Sequence, residues 1–221
     1  MLSAILVNCI VSKAQPYAKE IAAFKKQDSI SFPAKNAILF VGSSSFTKWT
    51  DVQSYFPNFT IVNRGFGGSS LPDLIRYQND IIYPYLPKQI IIYCGENDIA
   101  ASDTVSGKIV AERFKQLFVS IRSHFPNVPI GYISMKPSIL RWQMKDRMID
   151  GNSRIKKFLK KKKKTTFINV WKMMLGEDGT PMPDIFVEDK LHMNAKGYAI
   201  WQKLINPYLI NEINSMKPAT L

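Results

Sequence analysis

The chain has 221 residues, 46% of them hydrophobic and 12% aromatic, with 30 Lys and Arg against 17 Asp and Glu for a formal charge of +13. That much apolar mass excludes a largely disordered chain, and the length fits one well-buried domain. No internal period, Gly-X-Y pattern or sustained heptad is present, which excludes repeat arrays and fibres.

Residues 1–14 are mostly apolar and close with Ser12 and Ala14, small residues spaced as in a cleavage site before Gln15. This composition predicts a secretory signal peptide and a secreted or periplasmic protein, with residues 15–221 as the mature domain. The run lacks the usual basic start and is far short of the ~18–20 apolar residues of a membrane span. The alternatives are an ordinary N-terminal segment or a lipid anchor on Cys9, which Asn8 suits poorly. Cys9 and Cys94 are too few for a disulfide framework or a cysteine-based zinc site. With the leader removed Cys94 is the single thiol, and the apolar run leading into it predicts a small buried hydrophobe.

Residues 16–27 predict a leading helix. Short β-rich runs then alternate with longer helical patterns. Residues 37–41, 60–62, 89–93, 130–134 and 166–170 predict five strands with few polar residues, the character of strands buried on both faces. Residues 71–83, 106–125 and about 139–163 predict helices. In the second, Val110, Phe114, Leu117, Phe118, Ile121 and Phe125 recur at three- and four-residue spacing and mark one buried face. Residues 194–209 predict a closing helix with Asn194 as its N-cap. Strands alternating with helices imply a parallel sheet covered on both sides, a three-layer α/β/α sandwich whose ligands sit beyond the carboxyl ends of the strands.

The charge is concentrated. Residues 154–164 hold Arg154, Lys156, Lys157 and Lys160 to Lys164, eight cations and no acid, and without them the net charge falls to +5. A solvated helix end accounts for such a run. An anionic surface or nucleic acid is the sharper alternative, but Phe158 is the lone interleaved aromatic and no zinc-finger, RNP or helix-turn-helix spacing accompanies it, so nucleic acid is not the expected partner.

Polar groups gather where the predicted strands end: Gly42-Ser43-Ser44-Ser45, Asn63-Arg64-Gly65-Phe66-Gly67-Gly68 and Gly95-Glu96-Asn97-Asp98. A parallel sheet puts these three loops on one edge. A fourth loop, Asp189-Lys190-Leu191-His192, precedes the last helix. Together they supply what acyl transfer needs. A serine hydroxyl is a weak nucleophile until a base such as neutral imidazole takes its proton. Of the two histidines, His124 ends an amphipathic helix and fits a surface role. His192 lies three residues after Asp189, close enough for the carboxylate to accept the imidazole Nδ1 hydrogen. A tetrahedral oxyanion needs donors, and the Gly68 N–H and the Asn97 side-chain amide suit that purpose.

In order and combination these four blocks resemble those of the SGNH hydrolases, also called GDSL-type esterases, over about Ala37 to Trp201. The resemblance implies a flavodoxin-like fold with a five-stranded parallel sheet and no metal or cofactor. It implies that Ser44 is the nucleophile, that Asp189 and His192 complete a triad, and that the Ser44 and Gly68 N–H groups and Asn97 form the oxyanion hole. One position departs from the family pattern: Ser43 stands where an Asp usually precedes the nucleophile.

The implied activity is ester hydrolysis through a covalent acyl-enzyme. Secreted bacterial members often deacetylate carbohydrates, and Met135-Lys136-Pro137-Ser138 followed by Arg141-Trp142 looks like a substrate-side segment, with Trp142 stacking on a sugar face and Arg141 meeting an acid group. Trp142 fits a core anchor equally well, and the stretch from 139 to 164 is a candidate cover for the site. A lysophospholipase or a platelet-activating-factor-acetylhydrolase-like esterase stays open, because the machinery fixes the bond type and not the acyl or leaving group. A non-catalytic carbohydrate- or anionic-surface-binding protein is the rival from another class.

Overall fold

The structure is a computed structural model that describes residues 15–211. The signal peptide and the Cys9 anchor, read on residues 1–14, lie outside the described residues. Five strands, β1 Ile38–Gly42, β2 Ile61–Gly65, β3 Gln89–Tyr93, β4 Ile130–Ile133 and β5 Thr165–Ile168, form one sheet. All neighbours run parallel, in the order β2-β1-β3-β4-β5. Successive side chains leave a strand on opposite faces, and both faces are covered. Leu39, Val41, Ile90 and Ile92 enter one core with α1 (Ala18–Ile30), α4 (Leu71–Ile81), α6 (Gly107–His124) and α7 (Lys145–Leu159). Ile38, Phe40, Ile91 and Tyr93 enter a second core with α2 (Ser44–Thr47), α3 (Val52–Tyr55) and α8 (Ala195–Ile205). The predicted three-layer α/β/α sandwich is the observed architecture. No helix among the described residues is long and apolar enough to cross a membrane.

Helix limits follow local chemistry. Ser106 caps α6 by accepting the Ile109 N–H, and Asn194 caps α8 by accepting those of Lys196 and Gly197. The closing helix stops at Ile205 rather than at residue 209, because Pro207 forces a short 3-10 turn over Asn206–Tyr208. The predicted helix over about 139–163 is the largest revision. Residues 139–141 are loop, a 3-10 turn covers Trp142–Met144, and α7 begins only at Lys145. It packs Met148, Gly151, Ile155 and Leu159 inward as a layer helix, so only its leading loop, and not the whole stretch, lies near the sheet's carboxyl edge. The run from Lys160 to Lys164 has nothing apolar to bury, and all five lysines are exposed.

The strand order reverses at β1. The chain pairs β2 on one side of it and returns to pair β3 on the other, so the loops leaving β1 and β3 diverge and open a crevice between them. Close approach of these strands depends on Gly42. A Cβ there would sit 2.0 Å from the Tyr93 carbonyl oxygen, a backbone atom that cannot swing away. Gly42→Ala is therefore expected to destabilise the protein by about 1–3 kcal/mol, the usual cost of overpacking. Urea unfolding tests it: the midpoint should fall with the slope unchanged, and an unmoved midpoint would refute the constraint.

Candidate active site

The chain turns from β1 into α2 without a linker. Ser43 donates its N–H to the Tyr93 carbonyl, and its own carbonyl accepts the N–H groups of Phe46 and Thr47. The turn is closed by backbone, and the Ser43 side chain makes no cap bond. Ser43 and Ser45 are buried, whereas Ser44, the first residue of α2, is partly exposed. Of the three serines it is Ser44 that meets the imidazole, its Oγ lying 2.8 Å from His192 Nε2.

The loop carrying that imidazole is short and tied to itself. Val187 and His192 are joined by a backbone bond, Lys190 N–H returns to the Val187 carbonyl, and Lys190 adopts φ 56 to make the turn. This folds Asp189 back on its neighbours. Its Oδ1 accepts the N–H groups of Leu191 and His192 at 2.9 and 2.8 Å, and its Oδ2 lies 2.5 Å from His192 Nδ1. Partial desolvation pushes the Asp189 carboxyl up, but these hydrogen bonds outweigh it and hold the group down at about 2. A carboxylate can only accept, so Nδ1 must carry the hydrogen. Nε2 is left bare to accept from the Ser44 hydroxyl.

The glycine loop and the β3 loop meet beside Ser44. Ser69 Oγ donates to the Gly42 carbonyl, and Asn97 Nδ2 donates to the Ser69 carbonyl at 2.9 Å. Gly68 precedes Ser69 at φ 80, a conformation in which a side chain is strained. Neither Ser44 nor Gly68 donates its N–H to a backbone carbonyl among the described residues. Asp98, buried in the same short helix, α5 (Glu96–Ala100), accepts the Leu71 N–H and binds Arg113 at 2.8 Å, which fixes α4 and α6 against the loop.

This arrangement joins a hydroxyl, an oriented imidazole and a carboxylate in one hydrogen-bonded line, with free amide donors alongside. The sequence profile of the GDSL-like lipase/acylhydrolase family matches residues 28–200. The chain belongs to that family. No functionally curated protein matches it. Solved structures do. A Streptococcus pneumoniae protein named for platelet activating factor aligns over 87% of this chain and 92% of its own at 21% identity and TM-score 0.75. A GDSL-like lipase from Bacteroides thetaiotaomicron aligns over 85% and 96% at 19% identity and TM-score 0.71. A variant of an acetyl-xylooligosaccharide esterase from Geobacillus aligns over 81% and 97% at 14% identity and TM-score 0.62. At these identities the likeness is one of fold.

The structure thus gathers Ser44, Asp189, His192, Gly68 and Asn97, the residues expected from the sequence, on one edge. Two other expectations change. Arg141 does not project outward to await an acid group. Its guanidinium turns inward, Nη2 donating to Asn97 Oδ1 at 2.8 Å and Nη1 lying 3.4 Å from Glu96 Oε2. Trp142 is no core anchor. It is partly exposed and stacks on Trp171, ring centroids 6.1 Å apart and planes 23° off parallel. Glu96 and Lys136 form a buried pair that sequence reasoning passes over, with only Glu96's place in the third block as a signal. His124 stacks on Tyr83 away from the site. Cys94 is buried, and burial pushes its thiol well up, which leaves it unreactive.

The Asp189 carboxyl yields a pH test. Its value is depressed from an ordinary 3.8, so its stabilising contribution is whole above 3.8 and is lost as pH falls through about 2. The stability difference between wild type and Asp189→Asn in urea should narrow on acidification through that window. A gap that stays constant down to about pH 2 would mean that the folded-state carboxylate is not held as described.

Proposed function

We propose that this acylhydrolase is a serine esterase whose natural substrate is a short-chain, acetyl-type ester on a carbohydrate. The observation that carries the reaction is the unbroken line Asp189 Oδ2, His192 Nδ1, His192 Nε2, Ser44 Oγ, with separations of 2.5 and 2.8 Å. Ser44 Oγ adds to the ester carbonyl carbon while its proton passes to Nε2. The carbonyl π electrons move onto oxygen, and the N–H groups of Ser44 and Gly68 with the Asn97 amide receive that charge. Collapse of the intermediate expels the alcohol, which takes the proton from Nε2 and leaves an acyl-Ser44. Water, deprotonated by the same imidazole, then repeats the addition and releases the acid. Asp189 stays ionised throughout, orienting the ring and stabilising the imidazolium.

The Ser43 departure is compatible with this scheme, because the turn is closed by backbone bonds and asks nothing of the side chain at that position. The carbohydrate reading is supported by the Trp142 and Trp171 pair, two partly exposed indoles in near-parallel stacking. Trp142 comes directly after Arg141, which contacts the Asn97 amide. Trp171 also lines a cavity of about 310 Å³ with Ser153, Lys156 and Asn169, whose hydroxyl, amine and amide suit sugar hydroxyls. A flat aromatic face beside hydrogen-bonding groups suits a pyranose better than an alkyl chain. The acetyl-xylooligosaccharide esterase of the same fold acts on such an ester.

Hydrolysis of p-nitrophenyl acetate tests the reaction. Ser44→Ala should abolish it, Asp189→Asn should lower kcat by about 10⁴ through loss of the correct tautomer, and Asn97→Ala by about 10²–10³ through loss of one oxyanion donor. Equal rates for wild type and Ser44→Ala would remove the proposal. Because the Asp189 carboxyl is held at about 2, its protonation should add no second proton to the acid limb of kcat/KM above that pH, and a two-proton limb there would contradict that placement.

Acetylated xylo-oligosaccharides compared with short-chain lysophospholipid analogues test the substrate. Trp142→Ala should raise KM on the sugar esters several-fold and leave p-nitrophenyl acetate unchanged. Preference for the lipid esters, or indifference of the sugar esters to Trp142→Ala, would overturn the carbohydrate assignment.

A further inference from the structure

The loop after β4 reaches back across the sheet edge and places a charged side chain behind the proposed oxyanion donor. Asn97 offers two hydrogens on Nδ2 and lone pairs on Oδ1. The Ser69 carbonyl takes one hydrogen at 2.9 Å and Arg141 Nη2 takes Oδ1 at 2.8 Å. Two anchors on different atoms fix the plane of the amide and its sense. The second Nδ2 hydrogen is left without a partner among the described residues.

The partners of Arg141 show what the cation is for. Glu96 is already neutralised: Lys136 Nζ lies 3.2 Å from Oε2, the Lys136 N–H donates to Oε1, and the Tyr93 hydroxyl donates to the same oxygen. The side chains of Glu96 and Lys136 are 6% and 1% exposed, so this pair is shielded from water and complete in charge. A second cation is not required to satisfy Glu96. Arg141 sits 3.4 Å from that carboxylate but only 2.8 Å from the amide oxygen, so the shorter and better bond is the one to Asn97. The same segment touches the other half of the machinery, because the Leu140 N–H donates to the Lys190 carbonyl inside the loop that carries Asp189 and His192.

We propose that Arg141 is a positioning residue that acts through Asn97, locking its amide with one N–H turned toward the carbonyl under attack and polarising that N–H by withdrawing charge through Oδ1. The inference rests on the esterase reading above. Hydrogen bonds in a chain strengthen one another where the dielectric is low, and a donor fixed before the reaction costs no reorganisation when charge develops. Arg141 is therefore a determinant of rate on every ester, whatever its alcohol.

The test is a double-mutant cycle with p-nitrophenyl acetate, which carries no anionic group for an arginine to bind. Arg141→Ala should lower kcat by about 10–100-fold with KM moved less than about threefold, a smaller loss than removal of the oxyanion donor itself. In the Asn97→Ala background it should have almost no further effect, since the group it acts through is gone. Arg141→Lys, which keeps the charge but cannot span Glu96 and Asn97 together, should recover part of the loss, and it provides the fold-competent variant if Arg141→Ala unfolds. Circular dichroism and thermal melting on each variant identify losses due to unfolding. Multiplying losses in the double mutant, or an effect confined to KM on acidic sugar esters, would overturn the proposal in favour of direct substrate contact. Absence of Ser44-dependent turnover in the wild type would instead sink the esterase reading, and this inference with it.

Discussion

The close parallel contact between β1 and β3 is the constraint on which the site depends. Gly42 faces the Tyr93 carbonyl with no room for a Cβ, and Ser43 donates its N–H to the same oxygen. The two strands therefore end level, and the segments leaving them, Ser44 after β1 and Glu96 to Asp98 after β3, are delivered to the same place. The reversal of strand order there supplies the crevice, since the chain departs from β1 and β3 in opposite directions. Ser44 and His192 stand 148 positions apart in sequence, and only the shared edge makes them neighbours.

The third block shows how densely this edge is used. Three consecutive polar residues on α5 serve three different elements. Glu96 turns inward to the loop after β4, Asn97 faces the glycine loop, and Asp98 holds the first N–H of α4 and the guanidinium on α6. Burial pushes the Asp98 carboxyl up while Arg113 and the Leu71 N–H pull it back down, a balance that keeps a fully enclosed acid serviceable as an acceptor. One helical turn thus fixes the register of the loop carrying Asn97 against both flanking layers. A change at any of the three residues is felt by its neighbours through the backbone they share.

The fold is legible in the sequence because its signals are local. Apolar strands, a periodic α6 and the caps at Ser106 and Asn194 all state their structure within a few residues, and the parallel architecture comes from their alternation. Boundaries are less so. Gly42 and Asn63 to Gly65 read as loops from composition, yet they pair in register as the last residues of β1 and β2, since ladder hydrogen bonds ask nothing of the side chain. The helix expected over 139–163 fails for the same kind of reason, its first residues being held by distant partners rather than by helical bonds. Of the site, the motif residues are readable because backbone chemistry dictates them: a glycine where φ is positive, an acid three residues before a histidine. Arg141 misleads because an arginine beside a tryptophan looks like a surface pair, while its partners lie 44 and 45 residues away. Lys136 escapes notice because a lysine is expected in water, and only tertiary structure reveals that its ammonium is enclosed with Glu96.

The distribution of charge completes the functional picture. The lysine run lies at the end of α7 that leads into β5, and so at the amino edge of the sheet, opposite the edge that carries Ser44. A cavity of about 490 Å³ there is lined by Arg122, Ser123, Asn127 and Lys162 to Lys164, with no imidazole or carboxylate in its lining to activate the Ser123 hydroxyl. Exposed lysines act through a field screened within about 10 Å at moderate salt, so the cluster contributes little to the electrostatics of the opposite edge. The edge that carries Ser44 and His192 must therefore generate its own electrostatics. It does so with short contacts, a carboxylate against imidazole and a guanidinium held against Asn97 Oδ1, beside the Ser44 and Gly68 N–H groups, which donate to no backbone carbonyl among the described residues. The excess positive charge of the chain and the polarity of its site are separate features, and the chemistry is built from the second.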